Sequence, residues 1–181
     1  GKHTVISVVT GITINQLKQI IGKDIPVVRV MPNTAIAIRE SMTCIAASKE
    51  DNGAIHTAKA IFNTVGKTLE IEEEQMNPAT SLAACGVAFF LRAIRAASQG
   101  GIEIGFHSED ALAIAAQTAR GAASLLLSKE NHPEYEVDKV TTPRGCTISG
   151  LNQMEHEGFS SAMIKGIVTS ADKAEKLYTI E

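Results

Sequence analysis

The chain has 181 residues, 44% of them hydrophobic and 20% charged, with a formal net charge of −3 and a pI near 6.0. That composition gives one good-sized core or two small ones and excludes an intrinsically disordered chain. The 17 Lys and Arg are scattered, with no basic run interleaved with aromatics, so no nucleic-acid surface is expected. The longest unbroken apolar-rich run, Leu82 to Leu91, is closed by Arg92 and Arg95 and is too short to cross a bilayer, so no membrane partner is expected either. No basic stretch precedes an apolar one near Gly1, as a secretory signal would require. Cys44, Cys85 and Cys146 are spaced for neither a zinc ribbon nor a disulfide framework, and each is expected to be a small buried hydrophobe in a reducing cytoplasm. His3, His56, His107, His132 and His156 show no HxxxH or HxH spacing, so no metal site is expected.

The first third alternates strand and helix signals. Thr4 to Val9 is β-branched and apolar, as a strand covered on both faces should be, and Gly11 breaks it before a helical pattern from Ile14 to Ile21 that Gly22 ends. Ile25 to Met31 is a second buried strand, Pro32-Asn33-Thr34 a turn, and Met42 to Ala47 a third strand. A helix from about Gly53 to Val65 and a short strand near Thr68 to Ile71 follow. Such alternation predicts an α/β half with a mostly parallel sheet. After Asn77 the strand signal fades and the pattern becomes all-α, so the boundary is placed between residues 75 and 76. Pro78 suits a first helical turn, and the helix from about Ala79 to Gln99 is expected to stop at Gly100-Gly101. Ser108 opens another helix to about Ser128, in which Gly121 suits close helix approach. Two more helices, about Thr147 to Glu157 and Ser160 to Tyr178, meet at Gly158, the last with a stripe of Phe159, Met163, Ile167, Ala171, Ala174 and Tyr178. Broad apolar faces on a chain of this length predict burial against a second copy.

The most informative stretch is Val140-Thr141-Thr142-Pro143-Arg144-Gly145-Cys146-Thr147-Ile148. Thr142 suits a cap, Pro143 has its angle preset and Gly145 tolerates a left-handed turn, so the N–H groups of Gly145, Cys146 and Thr147 are placed to converge on a small anion. A carboxylate suits the start of the following helix, with its partial positive charge and unpaired donors. Taken alone, the stretch fits an ordinary capped loop as well. Asn33 and Thr34 follow a strand, where α/β sheets bind ligands, though a plain turn fits too. Glu70, Glu72, Glu73 and Glu74 precede a helix start, where carboxylates are favourable for dipole reasons alone.

Val27-Val28-Arg29-Val30-Met31-Pro32-Asn33-Thr34, then His132-Pro133, then Val140 to Ile148 and Gly158-Phe159, resemble the pyrroline-5-carboxylate reductase family in order and spacing. The resemblance implies a Rossmann-type domain, 1–75, followed by a helical dimerisation and substrate-binding domain, 76–181, in a cytoplasmic homodimer or higher homo-oligomer. It implies reduction of 1-pyrroline-5-carboxylate to L-proline in proline biosynthesis, with NADPH or NADH as cofactor. It implies that Thr142, Cys146 and Thr147 hold the substrate carboxylate with Gly145 shaping the turn, and that the Thr147 hydroxyl is the catalytic hydrogen-bond partner of the ring nitrogen. Val8, Val9 and Thr10, with Met31, Pro32, Asn33 and Thr34, would flank the nicotinamide, while Glu73 and Lys139 match positions touching substrate and cofactor.

Three departures stand beside it. No G-x-G-x-x-G turn follows a first strand, so the chain is expected to be an N-terminally truncated form that binds dinucleotide poorly and is inactive alone. Arg144 stands where the family has a second glycine, either strengthening the field on a carboxylate or pointing to solvent. Ala84-Cys85-Gly86-Val87 replaces a Gly-Ser-Gly-Pro run, and Val87 in place of proline keeps a helix unbroken. The alternatives are a related NAD(P)-dependent reductase of another small carboxylate and a non-catalytic helical dimerisation module.

Overall fold

The computed structural model describes residues 3–129 and 131–176. Four strands, β1 (Val5–Ser7), β2 (Val27–Met31), β3 (Ser41–Ala47) and β4 (Gly66–Glu70), form one sheet in the order β1-β2-β3-β4. β1 runs parallel to β2 with Ser7 opposite Arg29, and β3 parallel to β4 with Ile45 opposite Glu70. Between them, β2 and β3 are antiparallel, Met31 facing Cys44. The sheet is therefore mixed, and the reason is length. Residues 32–40 make only a turn and the 3-10 segment Thr34–Ile38, too short for the crossover a parallel pair needs.

Every residue of β2 is buried, as expected of a strand covered on both faces. Val28, Val30 and Ile45 pack against Ala54, Ile55 and Ala58 of helix α2 (Asn52–Phe62). Met31, Cys44 and Ala46 pack on the other face with Met76, which opens helix α3 (Met76–Ala79). Burying a side chain the size of Met76 or Ile45 contributes about 1.5–3 kcal/mol, so these two layers fix the sheet between its helices. Burial also pushes the Cys44 thiol above its usual range.

Helix α1 (Ile14–Ile21) starts with a capping box, Thr13 accepting from the Gln16 N–H while Gln16 accepts from that of Thr13, and ends at Gly22, whose φ of 109° breaks the helix. Lys18 ties α1 to the start of α2 through Asp51, 2.7 Å away, whose carboxylate also accepts from the Val27 N–H at 3.1 Å. Burial alone would raise the Asp51 carboxyl, but hydrogen bonds from Lys18, Val27 and Ser48, and the Lys18 charge, outweigh it and hold the group below the usual carboxylate range.

From Met76 the helix is continuous through a π-helical turn, Thr80–Cys85, into α4 (Gly86–Glu103). Gly100 and Gly101 do not stop it. The missing Cβ of Gly101 instead leaves room for Ala111 of α5 (Ser108–Lys129): a Cβ there would stand 3.0 Å from the Ala111 Cβ. Gly121, expected to serve such an approach, has nothing within 4 Å of where its Cβ would be. The break comes at Gly105, with φ 109°.

Helix α6 (Pro133–Val140) is absent from the sequence reading, although Pro133 at its first turn, Glu134 and Glu136 near its start, and His132 accepting from the Glu134 N–H are ordinary start signals. Helix α7 (Cys146–His156) follows the expected bounds and α8 (Phe159–Lys176) the expected start, with Gly158 at φ 80° between them. Tyr178, the end of the predicted stripe, lies outside the described residues.

Compactness divides the chain into residues up to Ala88 together with those from Lys165 onward, and Phe89–Ile164. In the first unit the Ser81 hydroxyl donates to the Ile167 carbonyl at 2.6 Å, and Ala174 is buried. The continuous helices Glu73–Glu103 and Ser108–Lys129 have apolar windows of mean hydropathy 1.4 and 1.2, long enough by length and composition to cross a membrane. The short run Leu82 to Leu91 understated them, because the helix extends well beyond it on both sides. Leu82, Phe90, Leu91, Leu112, Ile114, Leu127, Ile164 and Val168 all stand exposed on this chain.

Candidate functional site

Within the first unit, β1 and β2 run in the same direction, so the segments that follow them leave one edge of the sheet. Val8 and Val9 are exposed there, 56% and 45%, and Thr10 half-buried. The Val9 N–H donates to the Ser7 hydroxyl. After β2, the Met31 side chain points into the core, so what Met31 offers a ligand is backbone. Asn33 is fully engaged: its side chain accepts from the Ala35 N–H and donates to the Ala83 carbonyl at 3.0 Å, while its own N–H donates to the Ser41 hydroxyl. Asn33 thus pins the turn and leaves half-buried Pro32 and exposed Thr34 at the surface.

Glu73 meets protein donors. One carboxylate oxygen, Oε1, accepts from the Ile14 N–H at 2.7 Å and from the Arg29 guanidinium at 3.1 Å. The Arg29 side chain is only 6% exposed, and with Gly11, Thr13, Glu73, Glu74 and Asn77 it lines a polar cavity of about 210 Å³. Arg29 is the buried charge in this cavity that the motif alone does not single out. A charge in the middle of a strand buried on both faces is the signal that would have found it.

In the second unit, the Gly145 N–H donates to the Thr142 carbonyl at 2.9 Å, closing a turn with Pro143 and Arg144 at its centre. Arg144, not Gly145, takes the left-handed conformation, φ 60°, the second central position of a type II turn that usually carries glycine. Gly145 has φ −76° and is needed for a different reason: a Cβ there would overlap the Thr142 Oγ1 and stand 2.9 Å from the Thr142 carbonyl oxygen. Thr142 makes no cap, since Gly145 itself is the N-cap and contributes no side-chain bond. With the Gly145 N–H spent on the turn, the donors at the start of α7 are those of Cys146, Thr147 and Ile148, in the first helical turn where no intrahelical acceptor exists. Cys146 is exposed rather than buried, because it is the first residue of α7, and Cys85 is half-buried. Thr147 is half-buried.

Lys139 is committed to its own helix, 2.8 Å from Glu136 and 4.1 Å over the Tyr135 ring. Hydrogen bonds from Lys139 and Asn131 hold the Glu136 carboxyl below its usual range. Among the described residues no three His, Cys, Asp or Glu side chains converge as metal ligands would.

Residues 73–177, more than half of the chain, match the family described as pyrroline-5-carboxylate reductase dimerisation. The chain belongs to the pyrroline-5-carboxylate reductase family. It is 60% identical over 98% of its length to pyrroline-5-carboxylate reductase 1 of Dictyostelium discoideum and 52% identical over 96% to reductase 2 of the same organism. It spans 34% of the first relative's length and 63% of the second's. Among solved structures it resembles the pyrroline carboxylate reductase of Plasmodium falciparum with NADP bound, at 25% identity and a TM-score of 0.84, over 95% of this chain and 70% of that one.

Proposed function

We propose that this chain serves the reduction of 1-pyrroline-5-carboxylate to L-proline, acting as a homo-oligomer, at least a dimer, in the cytoplasm. The observation that carries the reading is the turn Thr142–Gly145 set against the start of α7, with three first-turn N–H donors beside the Thr147 hydroxyl. Donors of this kind suit a carboxylate, and fixing the carboxylate fixes the orientation of the five-membered ring. Thr142, Cys146 and Thr147 hold it, and Gly145 permits the tight turn. A reduced nicotinamide, from NADPH or NADH, supplies the hydride that adds to the imine carbon. Val8 to Thr10 and Met31 to Thr34 are offered to it at one sheet edge, as exposed valines and backbone, and Lys139 remains assigned to the cofactor by position in the family pattern. The C=N double bond becomes a single bond, and the ring nitrogen takes a proton. The Thr147 hydroxyl donates to that nitrogen as its electron density rises, acting as a hydrogen-bond partner and relay rather than a titrating acid.

The dimer reading is supported by the exposed leucines, phenylalanine and isoleucines of α4, α5 and α8, and by the family description matched over 73–177. The three free thiols agree with a reducing compartment. With no G-x-G-x-x-G turn in its sequence, the chain alone is expected to turn over no imine. The test joins it to the nucleotide-binding portion of the second Dictyostelium relative and follows NADPH oxidation. Thr147→Ala is expected to lower kcat by about 10- to 100-fold. A fusion that reduces 1-pyrroline, which has no carboxylate, as fast as 1-pyrroline-5-carboxylate would overturn the reading, and a monomer in light scattering would overturn the dimer.

A further inference from the structure

The loop between β1 and α1 is tied at its end to Glu73 of an ion pair and at its start to the strand that carries the other partner, Arg29. At its start, Ser7 lies opposite Arg29 in the parallel register. At its end, Ile14 opens α1 and donates its N–H to Glu73 at 2.7 Å. Arg29 and Glu73 are themselves joined at 3.1 Å, so strand, loop, helix start and ion pair form a closed clasp around residues 8–13. Gly11 and Thr13 of the loop line the same cavity as Arg29, Glu73, Glu74 and Asn77. A guanidinium as buried as that of Arg29 loses much solvation and keeps its place only against an acceptor, which Glu73 supplies from a partly exposed position. The turn after β2 has its own anchors in Ser41 and Ala83.

We infer that Arg29 and Glu73 are positioning residues that set the height of Val8 to Thr10 at the sheet edge, and through them the seat of the nicotinamide ring. Glu73 then works through the loop and not by touching substrate. The inference rests on the proposed reading of Val8 to Thr10 as a nicotinamide flank.

The experiment uses the 181-residue chain, with reduced nicotinamide mononucleotide as probe, followed by methyl NMR at Val8 and Val9, and with amide hydrogen exchange measured in parallel. Glu73→Ala is expected to speed exchange at Ile14 at least tenfold with β2 and β3 amides unchanged, and to weaken the mononucleotide at least fivefold. Glu73→Leu, which keeps the bulk without an acceptor, is expected to behave like Glu73→Ala, whereas Glu73→Gln keeps an acceptor for Ile14 and Arg29 and is expected to recover most of both effects, a contrast that simple loss of packing would not give. Unchanged exchange at Ile14 overturns the clasp. Faster exchange with unchanged affinity overturns its role toward the nicotinamide. A wild-type chain whose Val8 and Val9 methyls ignore the mononucleotide, while exchange still depends on Glu73, overturns the reading of the loop as a flank and leaves the clasp standing.

Discussion

Arg144→Gly should make the protein more stable. Arg144 is exposed, forms no hydrogen bond or ion pair with the described residues, and holds φ at 60° in the turn before α7. A side chain with a Cβ costs about 1–2 kcal/mol in that conformation. Glycine removes the cost, while its extra freedom in the unfolded chain takes back roughly 0.5–1 kcal/mol. The net gain is at most about 1.5 kcal/mol and centres on about 0.75, and at roughly 2–4 °C per kcal/mol for a chain of this size the melting temperature rises by about 2–3 °C. Circular dichroism melts of wild type, Arg144→Gly and Arg144→Ala, with amide exchange at Gly145 as the local probe, test it. Alanine keeps the Cβ, so it should gain nothing. Equal gains from alanine and glycine, or a loss with glycine, would refute the backbone argument and leave Arg144 held by something other than the turn.

At Gly66 the opposite outcome is expected, because a Cβ there would overlap the backbone of Ser41 where β3 and β4 begin to pair. Gly66→Ala should cost about 2–3 kcal/mol in urea unfolding; a change under about 0.5 kcal/mol would show that the strand ends yield freely. Asp51 predicts a pH dependence. Its carboxyl is held below the usual range when folded, so its stabilisation is complete above the unfolded value of about 3.9 and is lost as pH falls through the folded value. Asp51→Asn should therefore be less stable than wild type by about 1–3 kcal/mol at pH 7, with the gap narrowing below about pH 4. A gap that stays constant down to pH 3 would place the effect in packing instead of charge.

Where periodicity and punctuation agree, the sequence made the fold legible. α1 could be read from Ile14 to Gly22, and β2 from an apolar run interrupted only by Arg29, because local chemistry alone fixes those ends. The reversal between β2 and β3 was not legible from strand character, since Ser41 to Ala47 carries the same signal in either direction and only the length of residues 32–40 decides. Gly101 misled for a related reason: the glycine that ends one helix and the one that admits a neighbour look alike until Ala111 is beside it. In the candidate site, the turn at Pro143 was visible as turn chemistry, yet its left-handed position was assigned to Gly145 because glycine is the usual occupant. The partnership of Arg29 and Glu73 joins residues on separate elements far apart in sequence, and no local pattern contains it.

The return of α8 to the first unit also sets an order of events during synthesis. The Ser81 hydroxyl, fully buried, takes its acceptor from Ile167, and everything between Phe89 and Ile164 must leave the ribosome before that acceptor exists. At about 5–20 residues per second, Ser81 waits roughly 4–15 s for that acceptor. During that interval the Ser81 hydroxyl has no Ile167 carbonyl to donate to, so the burial it has in the finished fold is completed only after most of the chain has been made.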